Sequence, residues 1–329
     1  RMRIIGEALK RQFKVTGSGA ITAGKPMVIQ TDGTVTNVGE TNIGAVASFD
    51  GTDYADDINI VYDTGNDKVL ITFRDNSNSG YGTAVVGSVS GDSISFGTPV
   101  VFESAQTIRQ SAVYDSNAGK ILIVYRDNGN SSYGTAIVAT ISGTSVSFGT
   151  AVVFKSAAIE GVDVAFGPFN HCIVIFQISS GNFDAYYRNA LVSGTSVSFG
   201  TEGTAHGGST TGVRAGQITN PYGTANFVFA YKDQGESNQG RAIVGTFENI
   251  NSTTWQSDVA FTTSVVDQND VGITYDTNAE KIVIVYQDDS NSDFGTAVVG
   301  TLSGTSLSFG TPVVFKSSDT ENPFPQFDS

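Results

Sequence analysis

The chain has 329 residues, a formal net charge of −14 and a hydrophobic content of 39%, a composition that excludes a disordered chain. Its 38 glycines and 7 prolines are typical of many short strands joined by tight turns. No run of about 18 apolar residues is present, so no membrane-spanning helix is expected. The single cysteine, Cys172, excludes a disulfide framework and a thiolate metal cage. Because its neighbours are apolar, we expect Cys172 to be a small buried hydrophobe.

The charge is unevenly distributed along the chain. Residues 1–50 carry six Lys/Arg and four Asp/Glu, whereas residues 51–329 carry 12 and 28. An acidic body repels the phosphate backbone, so we expect no nucleic-acid partner. A basic start beside an acidic body favours an attachment role for the N-terminal segment, with a frayed terminus as the alternative.

Residues 1–52 are predicted to form an arm and a small β module. In residues 1–14, four apolar side chains can share one helical face: Ile4, Ile5, Ala8 and Leu9. Further along, Asp32-Gly33 between two apolar runs is a strong hairpin signal. The pattern Ala-Gly-Lys-Pro-Met-Val-Ile-Gln-x-Asp-Gly-Thr-Val followed by Ile-Gly-Ala-Val resembles small β modules of phage head-decoration and other virion proteins.

Residues 53–329 are an internal repeat. An aromatic residue ends an apolar run in each of five copies, with spacings of 52, 51, 55 and 55 residues: Phe73, Tyr125, Phe176, Tyr231 and Tyr286. Four copies close on Ser-Phe-Gly-Thr, at 95–98, 147–150, 198–201 and 308–311. The third and fourth copies have diverged. Residues 323–329 resemble the start of a sixth copy, so we expect the chain to be a piece of a longer protein.

Each copy is predicted to form four strands separated by turns rich in Asp, Asn and Gly. Four strands in about 50 residues are typical of a propeller blade, and the almost continuously apolar second strand indicates burial between neighbouring sheets. We therefore predict an all-β fold, a β-propeller-like array of about 52-residue four-stranded repeats with a small N-terminal β module. A trimeric fibre of repeated sandwiches is the alternative. The ring of blades would be completed either by strands from the N-terminal segment or by further blades.

A polar loop after the second strand is the candidate metal site. It begins at Asp75, Asp127 and Asp288 in the first, second and fifth copies. Alternating oxygen-bearing side chains resemble the front of a calcium loop, although the later bidentate Glu is missing and a structural turn needs the same residues. The loop is also loosely similar to the Asp-box turns of sialidase-like propellers, whose Ser-x-Asp-x-Gly-x-Thr-Trp order is absent. No other cofactor is expected.

The residues that follow this loop are the candidate ligand-binding residues. Tyr81, Tyr133 and Phe294 occupy one equivalent place in three copies. At one face of a propeller they would form a ring of aromatic side chains that can stack against sugars. The alternative is that they close the mouth of each sheet as core residues.

Catalytic residues are expected at positions where one copy of the repeat differs from the others. Glycoside hydrolysis needs two carboxylates at close range, and the non-repeated acids of the third copy, Glu160, Asp163 and Asp184, show no pairing in the sequence. The histidines His171 and His206 lack the spacing of zinc ligands, and no nucleophile elbow is present. We therefore expect that the chain is not an enzyme.

The repeat unit carries a family resemblance. Its two phrases are Tyr-Asp-Ser-Asn-x-x-Lys-Ile-x-Ile-Val-Tyr-Arg-Asp-x-Gly-Asn-Ser-x-Tyr-Gly-Thr-Ala-x-Val and Ser-Gly-Thr-Ser-x-Ser-Phe-Gly-Thr. They are similar to repeats in virion structural proteins of marine tailed phages, particularly those of cyanobacteria, over residues 53–329. The resemblance implies a tail-fibre, appendage or head-surface protein on the extracellular particle. It supplies no catalytic residue.

From these observations we predict a non-enzymatic phage virion surface protein that adheres to the host. Residues 1–52 would attach to other virion proteins, and residues 53–329 would present repeated loops to a host-surface glycan or protein as a homo-oligomer, without membrane insertion. One alternative is a capsid decoration or cement protein. A further alternative is a carbohydrate-active propeller enzyme.

Overall fold

The computed structural model describes residues 27–29, 35–37, 46–49, 54–91, 93–180, 184–207, 213–219, 224–321, 323 and 325. The chain divides into two units, residues 1–47 with 89–94 and residues 48–88 with 95–329. In the first unit, β1 (Met27–Ile29) pairs antiparallel with β2 (Val35–Asn37), which is the pairing expected of the predicted hairpin. The hairpin turn at Asp32-Gly33 and the predicted helical face of residues 1–14 lie outside the described residues. The boundary at residue 52 and the attachment role stay predictions.

The repeats form antiparallel sheets, one for each copy, and the described residues contain five of them. Shared strands join the first three sheets into one continuous array of 13 strands and the last two into one of nine. The first two comprise β3 (Ala55–Asp63), β4 (Lys68–Asp75), β5 (Tyr81–Ser90), β6 (Ser93–Phe96), β7 (Val100–Asp115), β8 (Lys120–Asp127), β9 (Tyr133–Ser142) and β10 (Ser145–Phe148). The next two add β11 (Val152–Phe166), β12 (Cys172–Ile178), β13 (Ala185–Ser193), β14 (Ser196–Phe199), β15 (Gly203–His206), β16 (Val213–Thr219), β17 (Asn226–Asp233), β18 (Gln239–Asn249) and β19 (Ser252–Trp255). The fifth adds β20 (Val259–Asp276), β21 (Lys281–Asp288), β22 (Phe294–Ser303), β23 (Ser306–Phe309) and β24 (Val313–Asp319).

Three long strands, β7, β11 and β20, each serve two sheets. The first part of β7 pairs with β5, Val100 opposite Ala84, and its second part pairs with β8, Asp115 opposite Lys120. A β-bulge in β7 accompanies the change of partner, and Arg109 in the bulge has a φ of 57°. The last strand of one sheet therefore continues as the first strand of the next. The first strands of consecutive sheets, β3, β7, β11, β16 and β20, pack side by side.

The hydrophobic core lies between consecutive sheets. The second strands are buried, and Ile121–Tyr125 of β8 is at most 1% exposed. In the second, third and fifth sheets, the aromatic residue near the end of the second strand packs on a Phe from the preceding sheet. The ring centroids of Phe102 and Tyr125 are 5.3 Å apart, as are those of Phe154 and Phe176. Such pairs add about 0.5–1.5 kcal/mol to the free energy of area burial. The predicted all-β propeller-like array of four-stranded repeats is confirmed.

Helices play almost no part in the described residues. Four 3₁₀ turns of three residues are present: Asn76–Asn78, Asn128–Asn130, Pro168–Asn170 and Asp289–Asn291. Within the part of the chain that the structure describes, no helix has the length and apolar character needed to cross a membrane.

Candidate functional site

The three candidate calcium ligands each cap a turn of their own. A side-chain oxygen of Asp75 accepts the backbone N–H of Asn78 at 3.0 Å, and the equivalent turns are closed in the same way. Asp127 accepts the backbone N–H of Asn130, and Asp288 accepts the backbone N–H of Ser290, both at 3.1 Å. The acids lie in three different sheets, and calcium binding at Asp75, Asp127 and Asp288 stays a prediction.

The three candidate stacking residues begin the third strands of their sheets. Tyr81, Tyr133 and Phe294 are half-buried, so they are neither fully exposed nor core residues. Each lies opposite the acid that caps the preceding turn, as Tyr81 does opposite Asp75. They belong to the first, second and fifth sheets, and sugar stacking on them stays a prediction.

The non-repeated acids of the third copy bind other groups. Asp163 accepts a hydrogen bond from the Ser111 hydroxyl at 2.5 Å, and Glu160 forms an ion pair with Arg126 at 3.4 Å. Both partners belong to the second sheet. Asp184 lies immediately before β13. Glu160 and Asp163 are therefore engaged with the second sheet and not paired with each other.

The two histidines lie in separate environments. His171 lies beside β12, where its Nδ1 is 2.6 Å from the carbonyl oxygen of Phe169 and its ring packs on Phe247. Its neighbour Cys172 is 1% exposed, and burial raises the pKa of its thiol well above the usual value. The prediction of a buried, structural cysteine is confirmed.

A cluster of three potential metal ligands lies where the third and fourth sheets meet. His206 ends β15, Asp233 ends β17, and Asp258 immediately precedes β20. One ligand atom from each side chain lies within 4.8 Å of the other two. Among the described residues, it is the one group of three or more His, Cys, Asp or Glu side chains with this proximity. We call these residues the 206–233–258 cluster.

The third copy makes room for this cluster by losing a phenylalanine. In the third copy His206 lies opposite Ala185, just as Glu103 lies opposite Gly82 in the first copy. The residue before His206, Ala205, is therefore the counterpart of Phe102. Without the large Phe side chain, the imidazole ring of His206 packs on Tyr231, with centroids 5.0 Å apart. Tyr231 is the counterpart of Tyr125, which packs on Phe102. The histidine ring thus occupies an inter-sheet position that phenylalanine fills elsewhere.

Asp258 is held by two donors. The guanidinium Nε of Arg241 and the hydroxyl of Tyr231, at 2.9 Å, both donate to its Oδ2. Burial acts to raise the pKa of Asp258, but these two hydrogen bonds and the charge of Arg241 outweigh it and lower the pKa. Arg241 lies opposite Tyr231 on the neighbouring strand, where the intact copies have a threonine: Thr83, Thr135 and Thr296. The carboxylate is therefore kept ionised and fixed in position.

Asp233 is the most buried member of the cluster, with 3% of its side chain exposed. Its Oδ1 accepts the backbone N–H groups of Gly235 at 2.8 Å and Glu236 at 3.3 Å, so it caps a turn as its equivalents do. Its Oδ2 lies 3.4 Å from Nε2 of His206. That nitrogen is buried and makes no hydrogen bond. Of the turn-capping acids, Asp233 is the one that belongs to the cluster.

Sequence reasoning missed Asp233 and Asp258 and considered His206 only as a partner for the other histidine. The available signal was the disagreement between copies. His206 follows the position where Phe is replaced by Ala205, and Arg241 replaces a threonine. Each departure falls in the third or fourth copy, where the repeat is least regular.

Comparison with known proteins gives structural likeness only. No protein-family model and no curated protein sequence matches the chain. The periplasmic gluconolactonase PpgL of Pseudomonas aeruginosa is similar in structure, with a TM-score of 0.56 at 9% identity over 86% of this chain and 76% of that one. A structure of NanB with Optactamide has a TM-score of 0.57 at 8% identity over 84% and 63%. The Hadza microbial sialidase Hz136 has a TM-score of 0.50 at 8% identity over 80% and 59%.

These likenesses correct the functional prediction. The main expectation, a non-enzymatic phage virion protein with a host-adhesion role, is wrong, because the structures of similar fold include proteins named as enzymes, a gluconolactonase and a sialidase. The resemblance to cyanophage repeats, the location on a particle and the expected partners are not tested by these likenesses and stay predictions. What the likenesses establish is the β-propeller-like fold.

Proposed function

We propose that the chain is a propeller hydrolase acting on a carbohydrate substrate, with its reaction centre at the 206–233–258 cluster. The observation that carries the proposal is the convergence of an imidazole and two carboxylates at the junction where the repeat breaks down. Propellers of similar fold include proteins named gluconolactonase and sialidase, and these names support a carbohydrate substrate for the proposal. This proposal replaces the expectation, drawn from the sequence alone, that the chain is not an enzyme.

The three side chains supply the groups that hydrolysis requires. Asp258 is an ionised carboxylate held by Arg241 and Tyr231, and it is able to stabilise positive charge or accept a proton. His206 brings an imidazole ring to the same place, and a ring nitrogen of this kind can take a proton from an attacking water. The side chains of His206 and Asp258 are 17% and 19% exposed, which leaves both within reach of solvent. The almost fully buried Asp233 places its Oδ2 3.4 Å from Nε2 of the imidazole.

The junction between the first and second sheets provides a matched control for this site. The hydroxyl of Tyr125 donates to Oε2 of Glu103 at 3.1 Å, which reproduces the tyrosine–acid pair of the fourth sheet. Glu103 occupies the position that His206 has in the third copy. The junction between the first and second sheets therefore has the tyrosine and the carboxylate without the imidazole. Substitution of Glu103 changes a tyrosine–carboxylate hydrogen bond like that between Tyr231 and Asp258. Because no histidine accompanies it, we expect no effect on catalysis.

The test is an activity screen of the purified chain with chromogenic aryl glycosides and with sugar lactones. We expect turnover of a substrate from one of these classes, and a loss of kcat of at least about 100-fold in Asp258→Asn and His206→Ala. The control Glu103→Gln should keep the kcat of the unmodified chain. Circular dichroism and the thermal midpoint establish that each variant is folded. Absence of turnover on both classes, or full activity in the Asp258 variant, contradicts the proposal.

A further inference from the structure

We propose that His206, Asp233 and Asp258 form a binding site for a zinc ion, with three protein ligands and a fourth position for water or a substrate oxygen. The cluster joins one nitrogen and two oxygen ligands from three strand ends. The inference concerns metal binding alone and holds whether or not the chain is a hydrolase.

The distance between two of the ligand atoms supports a shared metal. Nε2 of His206 and Oδ2 of Asp233 are 3.4 Å apart. That separation exceeds the roughly 2.7–3.2 Å of an N–H···O hydrogen bond. Ligands about 2.0–2.1 Å from a tetrahedral zinc lie about 3.3 Å from each other, because a tetrahedron's edge is about 1.6 times its centre-to-corner distance. The pair is therefore spaced as two ligands of one ion.

The hydrogen bonds around the cluster use one oxygen of each aspartate, so the other oxygen of each can bind an ion. Oδ1 of Asp233 is occupied by its turn, and both donors to Asp258 bind Oδ2. Such outer hydrogen bonds orient metal-ligating carboxylates. Nε2 of His206 is buried and makes no hydrogen bond, although Oδ2 of Asp233 approaches it to ion-pair distance at 3.4 Å. A metal ion at the centre of the cluster accounts for that nitrogen.

The donor set selects the kind of metal. Imidazole suits zinc and other transition metals, whereas calcium takes six to eight oxygen ligands and magnesium keeps most of its waters. Three protein ligands with one open position are the usual arrangement of a zinc site that is not purely structural. Two carboxylates beside a single arginine also leave the cluster with excess negative charge, which a dication offsets.

The test is equilibrium dialysis of the full chain, first stripped with a chelator, against zinc chloride, with bound metal measured by mass spectrometry. We expect about one zinc per chain, and affinity weakened at least about 100-fold in His206→Ala and Asp258→Asn. Two matched variants should bind as the unmodified chain does. They are His171→Ala, the other histidine, and Asp127→Asn, the equivalent of Asp233 in the second sheet.

A second measurement covers variants that fail to fold. Cobalt substituted into the unmodified chain should give the intense visible absorption of tetrahedral coordination, which zinc should displace. No zinc bound at micromolar concentrations, equal binding by the His206 and His171 variants, or calcium bound in place of zinc would each overturn the proposal. Zinc binding without turnover would contradict only the hydrolase, and chelator-resistant turnover without zinc binding would contradict only the metal site.

Discussion

Gly149 lies directly against the backbone of Thr195: a Cβ atom added to Gly149 would be 1.8 Å from the Thr195 carbonyl oxygen. Gly149 belongs to the Ser-Phe-Gly-Thr phrase of the second copy, and Thr195 lies in the tight turn between β13 and β14 of the third. The same contact recurs at two other sheet junctions, between Gly97 and Thr144 and between Gly200 and Ile250. In the first three copies, glycine is required at this position because the sheet packs there against a turn of the next sheet.

Replacement of Gly149 by alanine should therefore destabilise the fold. The added methyl group meets backbone, which cannot move aside as a flexible side chain can, so we expect a loss of roughly 1–3 kcal/mol in the free energy of unfolding. Urea denaturation followed by circular dichroism measures it. Gly310 is the matched control, since a Cβ there would lie 3.6 Å from its nearest neighbour, an ordinary contact. Equal losses in Gly149→Ala and Gly310→Ala would contradict the explanation.

The phenylalanine near the start of each long strand offers a second matched pair. Phe154 is 2% exposed and packs on Phe176 of the next sheet, whereas its equivalent in the fifth copy, Phe315, is 54% exposed. Phe154→Ala should cost about 3–5 kcal/mol through lost burial and a cavity. Phe315→Ala should cost much less, because water already reaches the ring. Comparison of the two unfolding midpoints tests this, and similar losses would show that the inter-sheet core is misassigned.

Two adjacent acids should respond to pH in opposite directions. Burial acts to raise the pKa of Asp56, but its bonds to Arg74 and Asn76 outweigh burial and lower the pKa below the usual 3.8. Its ionised form therefore stabilises the fold above about pH 3.8, and that stability is lost as the pH falls through the lowered pKa. Asp56→Asn should reduce stability at pH 7 by roughly 0.2–1 kcal/mol, with the difference fading in acid.

Asp57 shows the reverse effect. Burial raises its pKa above 3.8 despite the nearby Arg74. Its ionisation therefore costs stability, and the cost grows as the pH rises through the raised pKa. Asp57→Asn should stabilise the chain at pH 7 and have no such effect below about pH 3.8. Asparagine also tolerates the φ of 48° at this position. Thermal midpoints between pH 3 and 7 test both variants, and slopes of the same sign would be the contrary result.

The thiol of Cys172 should be unreactive in the folded protein. It is buried, and its raised pKa leaves little thiolate at neutral pH. With a thiol reagent such as DTNB at pH 8, we expect no labelling in buffer and one thiol per chain in 6 M guanidinium chloride. Labelling in buffer at the rate of an exposed thiol would contradict the assignment of Cys172 to the core of the third sheet.

Much of the fold followed from local pattern. The spacing from Phe73 to Tyr286 gave the number of sheets, and the apolar runs gave their second strands, because strand formation and turn formation depend on neighbouring residues. The capping role of Asp75 and its equivalents was also predictable from turn chemistry. The sharing of one long strand by two sheets was not predictable from the sequence. No local sequence signal marks the bulge at Arg109, which lies close to the point where β7 changes its pairing partner from β5 to β8.

The sequence by itself determined a repeated four-stranded unit, and only the tertiary structure decided where the repeat can carry chemistry. His206, Asp233 and Asp258 are far apart in the chain and individually unremarkable, and His206 and Asp233 come from different sheets. They meet because Ala205 leaves space that a phenylalanine fills in other copies, and because Arg241 and Tyr231 hold Asp258 in place. A side chain's neighbours across a sheet junction depend on packing in three dimensions, which no spacing along the chain records.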